Sequence, residues 1–343
     1  MKRFLIATLC LALLLGGCAG SGAAAQIKEA SRELFAMDTY MTLRAFGADA
    51  AVLEGAEALV RSIEGELSVT REGSAVYQLN ETGLAHFSPE AAELTRRALA
   101  LCAETGGVLD LTVYPVVRAW GFTTGEHRIP SREELDALCE KVDFRQVQVF
   151  DDGTVTLPER CEMDLGAVTK GWLGERLCAY LREQGVESAL LDLGGNVQTL
   201  GSKPDGSAWR VGVRDPDGEG LLGVVEVRDE AVVTSGGYER YFTGEDGTVY
   251  WHILDPRNGM PARNGLLSVT VIGPEGLRCD ALSTALFVLG EAQAVKFWRA
   301  SGDFELLLVT EDGRLLLTPG LAARFMPDAG LGYNVEVLSD VED

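Results

Sequence analysis

Histidine is almost missing from this chain: three stand in 343 residues, at 86, 127 and 252. That scarcity excludes a metal centre built on imidazole ligands. Cysteine is present without pattern. Beyond Cys10 and Cys18 it occurs at 102, 139, 161, 178 and 279, an odd number with no Cys-x-x-Cys pair, which excludes a structural zinc site and a disulfide framework. Basic residues are scarce too: 30 Lys and Arg face 52 Asp and Glu, a net charge of −22 that repels phosphate backbones and rules out a nucleic-acid partner. No repeat of fixed period and no low-complexity block is visible. The apolar run Phe4–Leu15 has twelve residues, too few to span a bilayer.

Hydrophobic residues make up 46% of the chain and charged ones 24%, enough to bury the core of one large domain, which we place at 31–330. Before it, Lys2 and Arg3, the short apolar run and Leu15-Gly16-Gly17-Cys18 have the form of an export signal ending in a bacterial lipobox. This predicts removal of residues 1–17, acylation of Cys18, a small and polar tether over 18–30, and a location on the cell membrane facing the extracytoplasmic side. Residues 331–343 read as an acidic tail.

Within the domain, the apolar spacing of Val52, Leu53, Ala56, Leu59, Val60 and Ile63 predicts a helix over 50–67, and a second runs over 89–105, closed by Gly106-Gly107. Residues 35–46 are strand-like, 109–122 form a loop leading into a short helix, and a small acidic helix follows Ser131. Strands are expected at 147–150, 154–157, 189–193, 209–214, 224–227, 231–235, 267–272, 305–309 and 315–317. A helix from the 164–171 segment to about Gln184 and another at 279–290 complete the set. Helices scattered among antiparallel strands give an α+β fold; the regular alternation of a parallel nucleotide-binding sheet is missing.

Four segments carry chemistry. In Cys279–Gly290, Asp280 precedes Ser283 by three residues and Thr284 by four, spacings that gather three oxygens on one helical face. Hard oxygen ligands of this kind suit Mg²⁺, which fills its remaining positions with water and substrate phosphate. The alternative is that Asp280 caps the helix. In Asp164–Gly171, the glycines allow backbone groups to face a ligand, and Lys170 sits where the helix dipole gives a cation nothing. A phosphate partner explains that lysine; a solvated side chain is the other reading. In Leu191–Asn196, Asp192 within an apolar strand followed by Gly-Gly-Asn marks either close ligand approach or a tight turn. Finally, Ser235–Phe242 and Trp251–Gly259 include His252, the one histidine in any of these segments, a candidate base or a hydrogen-bonded structural residue.

Seven motifs in this order, Met37–Thr42, Leu109–Pro115, Asp164–Gly171, Leu191–Asn196, Ser235–Phe242, His252–Gly259 and Asp280–Thr284, resemble the FAD:protein FMN transferase family, the ApbE-type flavin transferases. The resemblance covers about 31–320, and the lipobox suits a family with many lipoproteins. It implies a T-fold-related α+β domain that binds FAD, uses Mg²⁺ on the pyrophosphate, and moves FMN to a threonine or serine hydroxyl of a target flavoprotein in membrane electron transport, releasing AMP. It further implies Mg²⁺ ligands at Ala167 (by its carbonyl), Asp280, Ser283 and Thr284. FAD contacts are implied at Met37, Thr70, Leu109, Asp110, Leu111, Asp164, Lys170, His252, Ile253 and Leu254, with His252 as the base. The chain departs from the family pattern at Asp38, where glycine is usual, at Cys279, where alanine is usual, and at Val69-Thr70, where an aromatic often packs on the flavin. Two further readings remain: a Mg²⁺-dependent FAD pyrophosphatase, and an FAD-binding lipoprotein without chemistry.

Overall fold

The computed structural model describes residues 28–339; the signal, Cys18 and the first part of the tether lie outside the described residues. Its centre is a nine-stranded sheet whose strands lie side by side in the order in which the chain makes them: 29–36, 39–46, 188–192, 196–200, 231–236, 266–273, 305–310, 314–317 and 334–337. All neighbours are antiparallel except the last pair.

The middle of this sheet is covered on both sides. On one face the helices Ala50–Leu67, Gly166–Glu183 and Gly276–Leu289 pack over Leu43, Leu191, Val233, Val269 and Val271. On the other, the small sheet of Trp209–Arg214, Leu221–Val227 and Phe325–Pro327 packs against Val232, Ile272, Leu307 and Val309. Strands buried on both faces read as unbroken apolar runs, whereas Trp209–Arg214, with one face in water, alternates buried and exposed residues strictly. Ser74, Ser88 and Ser131 each accept a hydrogen bond from a first-turn amide and so fix the starts of three peripheral helices.

Several boundaries differ from the expectations. The strand-like span 35–46 is a hairpin, Glu29–Ala36 with Thr39–Phe46, and Met37 and Asp38 form its two-residue turn at φ 50° and 57°. Neither residue is glycine, so the usual signal for a turn with both central residues left-handed is missing. Strand pairing therefore begins at Glu29, inside the span assigned to the tether. The expected acidic tail likewise contributes Asn334–Val337, paired in parallel with Arg314–Leu317. The last large helix starts at Gly276, not at Asp280, so Asp280 lies in its second turn and cannot be its cap. Sequence reading also missed the strands 196–200, 241–243 and 249–251 and the helices Ala75–Thr82 and Glu291–Ser301.

Candidate active site

A cavity of about 950 Å³ opens where the 37–38 turn, the 193–196 turn, the 236–240 loop, the start of the helix 166–183 and the second and third turns of the helix 276–289 meet. It lies at the upper end of the range for small-molecule sites, roughly 300–1,000 Å³. Its wall includes Met37, Thr70, Leu109, Asp110, Leu111, Asp164, Ala167, Lys170, His252, Ile253, Leu254, Asp280 and Thr284. One expected residue, Ser283, is not on that wall. It is fully buried behind it, donating to the Asp280 carbonyl at 2.9 Å and paired with the Ser235 hydroxyl at 2.8 Å, so the three-oxygen cluster reduces to Asp280 and Thr284. Thr284 is steadied by the same Ser235, 3.3 Å away.

The acidic end is built by two crossing helices. Gly171 donates its backbone N–H to Asp280 Oδ2 at 2.8 Å. That amide is the one an α-helix assigns to the Ala167 carbonyl, four residues back. Asp280 therefore shares that amide with the Ala167 carbonyl's position in the helix. Asp280 is only 6% exposed, and burial pushes its carboxyl up to about 6 against the pull of Lys170 and the Gly171 amide. A buried carboxylate with a free oxygen, a half-buried hydroxyl and a helix-end carbonyl is a donor set that suits Mg²⁺. Among the described residues no group of three His, Cys, Asp or Glu could hold a metal alone, so an ion here would fill its remaining positions with other oxygens, from water, hydroxyls, carbonyls or a ligand.

Several acidic residues are committed to shaping the walls. Asp110 takes the Thr112 N–H at 2.8 Å, the Thr112 hydroxyl at 2.6 Å and the Phe144 N–H at 3.0 Å, while burial raises its pKa. Asp164 is tied to the same loop, donating its N–H to the Leu111 carbonyl at 2.8 Å, and its carboxylate caps the Gly166 N–H. Asp192 accepts from Gly194 and Gly195, which favours the tight-turn reading of that motif. Glu64, from the first long helix, accepts the Met37 N–H at 2.6 Å and holds the left-handed turn at the rim.

His252 stands on the wall with its backbone N–H bonded to the Arg240 carbonyl at 3.0 Å and its Nδ1 3.2 Å from the same oxygen. This contact places the proton on Nδ1 and leaves Nε2 as a free acceptor. Loss of water, then the charges of Arg240 and Lys170, press its pKa down to about 4, against the effect of the Arg240 carbonyl. At neutral pH the ring is uncharged. The neighbouring carboxylate Asp255 is occupied by the Arg257 guanidinium at 2.7 and 2.8 Å. Sequence reading passed over Ser235 and Arg240 as site residues. Only their place in the Ser235–Phe242 motif pointed to them, because partners 48 and 12 residues away in sequence are invisible to spacing rules.

Comparison with known proteins accounts for this assembly. The protein called FAD:protein FMN transferase in Klebsiella pneumoniae (strain 342) is 33% identical over 307 residues, covering 87% of this chain and 94% of that one. Its counterpart in Treponema pallidum is 32% identical over 92% of this chain and 93% of its own length. Among solved structures, the ApbE protein of Thermotoga maritima superposes with a TM-score of 0.81 at 29% identity, covering 87% of this chain and all of its own. The flavin transferase ApbE of Vibrio cholerae superposes with a TM-score of 0.78 at 26% identity. The sequence model of the ApbE family matches residues 37–308, a span that starts at the rim residue Met37 and encloses every wall residue named above. The chain belongs to the ApbE family.

Proposed function

We propose that this enzyme transfers the FMN moiety of FAD to a threonine or serine hydroxyl of a target flavoprotein, with Mg²⁺ at Asp280, Thr284 and the Ala167 carbonyl. The observation that carries the reading is one cavity in which a buried carboxylate–hydroxyl pair and an uncharged imidazole with a free Nε2 face the same space. When bound, Mg²⁺ would neutralise charge on the pyrophosphate during displacement. Lys170 and Arg240 supply fixed positive charge to the same anion. His252 Nε2 accepts the proton of the attacking hydroxyl as that oxygen bonds to the FMN phosphorus. The bond from that phosphorus to the bridging oxygen breaks, and AMP leaves with the bridging oxygen. An anionic ligand beside Arg240 and Lys170 would offset the two charges that, after burial, depress His252.

The test incubates the protein with FAD, Mg²⁺ and a candidate target flavoprotein, reading covalent flavin fluorescence on the target and AMP in solution. Flavin on the target that disappears when its acceptor threonine is replaced supports the transferase. AMP release at the same rate without any target identifies a pyrophosphatase, and FAD binding without AMP identifies a carrier. We also propose that Cys18 anchors the protein by lipid to the extracytoplasmic face of the cell membrane; among the described residues no helix is long and apolar enough to cross one.

A further inference from the structure

Asn196 opens the strand Asn196–Leu200 directly after two glycines in left-handed conformation, and it is 2% exposed. It is among the residues that line the cavity. The amide lies against the Asp280 carboxylate and favours its charged form, yet neither Oδ1 nor Nδ2 makes a hydrogen bond of good geometry with any protein group. An orphaned buried amide is destabilising, and the apolar side chain of leucine would avoid that cost at similar volume. Buried amides are kept where something absent from the folded chain completes them.

We propose that Asn196 is a further member of the cation site, a positioning residue that holds Asp280 for the ion with its Nδ2 and offers its Oδ1 to the hydration shell of a divalent cation bound there. The inference rests on the reading of Asp280 as a cation ligand. It assigns to the Gly-Gly-Asn segment a role that its neighbour Asp192, spent on the turn, does not have. Groups that orient a metal-binding carboxylate typically contribute 10–100-fold in affinity.

The experiment measures Mn²⁺ binding by electron paramagnetic resonance, with Mn²⁺ alone and with saturating ADP as a pyrophosphate probe, on the full-length protein. Wild type, Asn196→Leu, Asn196→Ser and Asp280→Ala are compared, each checked for folding by thermal melting in EDTA. We expect Asn196→Leu to melt in EDTA at or above the wild-type temperature and to bind Mn²⁺ at least about tenfold more weakly. Asn196→Ser carries the affinity measurement if the leucine variant does not fold. If the folded Asn196 variants bind Mn²⁺ as wild type does while Asp280→Ala does not, the proposal is overturned and the cation site stands. If Asp280→Ala also binds normally, or if wild type binds under neither condition, the cation reading itself falls and takes the Asn196 role with it.

Discussion

Gly171 and Gly276 touch backbone to backbone where the two site helices cross: a Cβ on Gly171 would run into the Gly276 carbonyl and come within 2.7 Å of the Asp280 Cβ, and a Cβ on Gly276 would meet the Gly171 carbonyl. The approach is close enough for the Gly171 amide to reach Asp280. Gly171→Ala must push the helices apart against rigid backbone. It should cost about 1–3 kcal/mol or more, as overpacking does. The measurable outcome is a drop of several degrees in Tm together with lost activity; a melting temperature within a degree of wild type would contradict it.

Asp280→Asn separates stability from function. The folded-state pKa of about 6 lies above the ordinary carboxylate value of 3.8, so the folded form holds the proton more tightly. That contribution to stability is present below the unfolded pKa and is lost as pH rises through about 6. In EDTA, urea denaturation should therefore show the asparagine variant no less stable than wild type at pH 8, with a gain of up to about 3 kcal/mol. Its Mg²⁺-dependent turnover should fall by a few orders of magnitude.

For His252 the sign is the reverse of the usual histidine case. Its folded pKa of about 4 is below its unfolded value of 6.5, so the unfolded chain gains a proton between these values and the folded one does not. Stability falls as pH drops from 6.5 towards 4, and His252→Gln should flatten that fall in urea titrations. Kinetically, the acid limb of kcat/KM assigned to His252 should sit well below pH 6. A limb that moves when His252 is replaced but lies near 6.5 would contradict this environment.

His252→Ala should lower FMN attachment to a target by roughly 10²–10⁴-fold. AMP release without a target should fall less, because water held by a metal has a lowered pKa and needs a base less. Equal loss of both activities, along with FAD binding, would make His252 a binding residue.

Cys18→Ser should move the protein from the membrane fraction to the soluble fraction. Retention of the variant on membranes in high salt would contradict a lipid anchor.

How far the sequence foretold this arrangement depends on the range of each interaction. Helix 50–67, strand 209–214 and the α+β class were legible because periodicity and N-caps are local. Spacing singled out Asp280 and Thr284, and both stand on the cavity wall, but it could not tell that Ser283 turns inward to Ser235 on another strand. The N-cap reading of Asp280 failed because Glu175, from the neighbouring helix, receives the Leu277 amide and lets the helix begin at Gly276. The Met37-Asp38 turn was missed because Glu64 holds the Met37 amide in place of a glycine signal.

The sheet that adds its strands in chain order has a consequence for biogenesis. A chain emerging from the ribosome can pair each strand with the one made just before it, so the scaffold grows steadily. The site does not: its walls begin with Met37 and are completed by Thr284, almost at the far end. Any nascent or truncated chain stopping before the 276–289 helix has the histidine and the lysine but lacks the buried Asp280 carboxylate. Such fragments can be compact and still chemically silent.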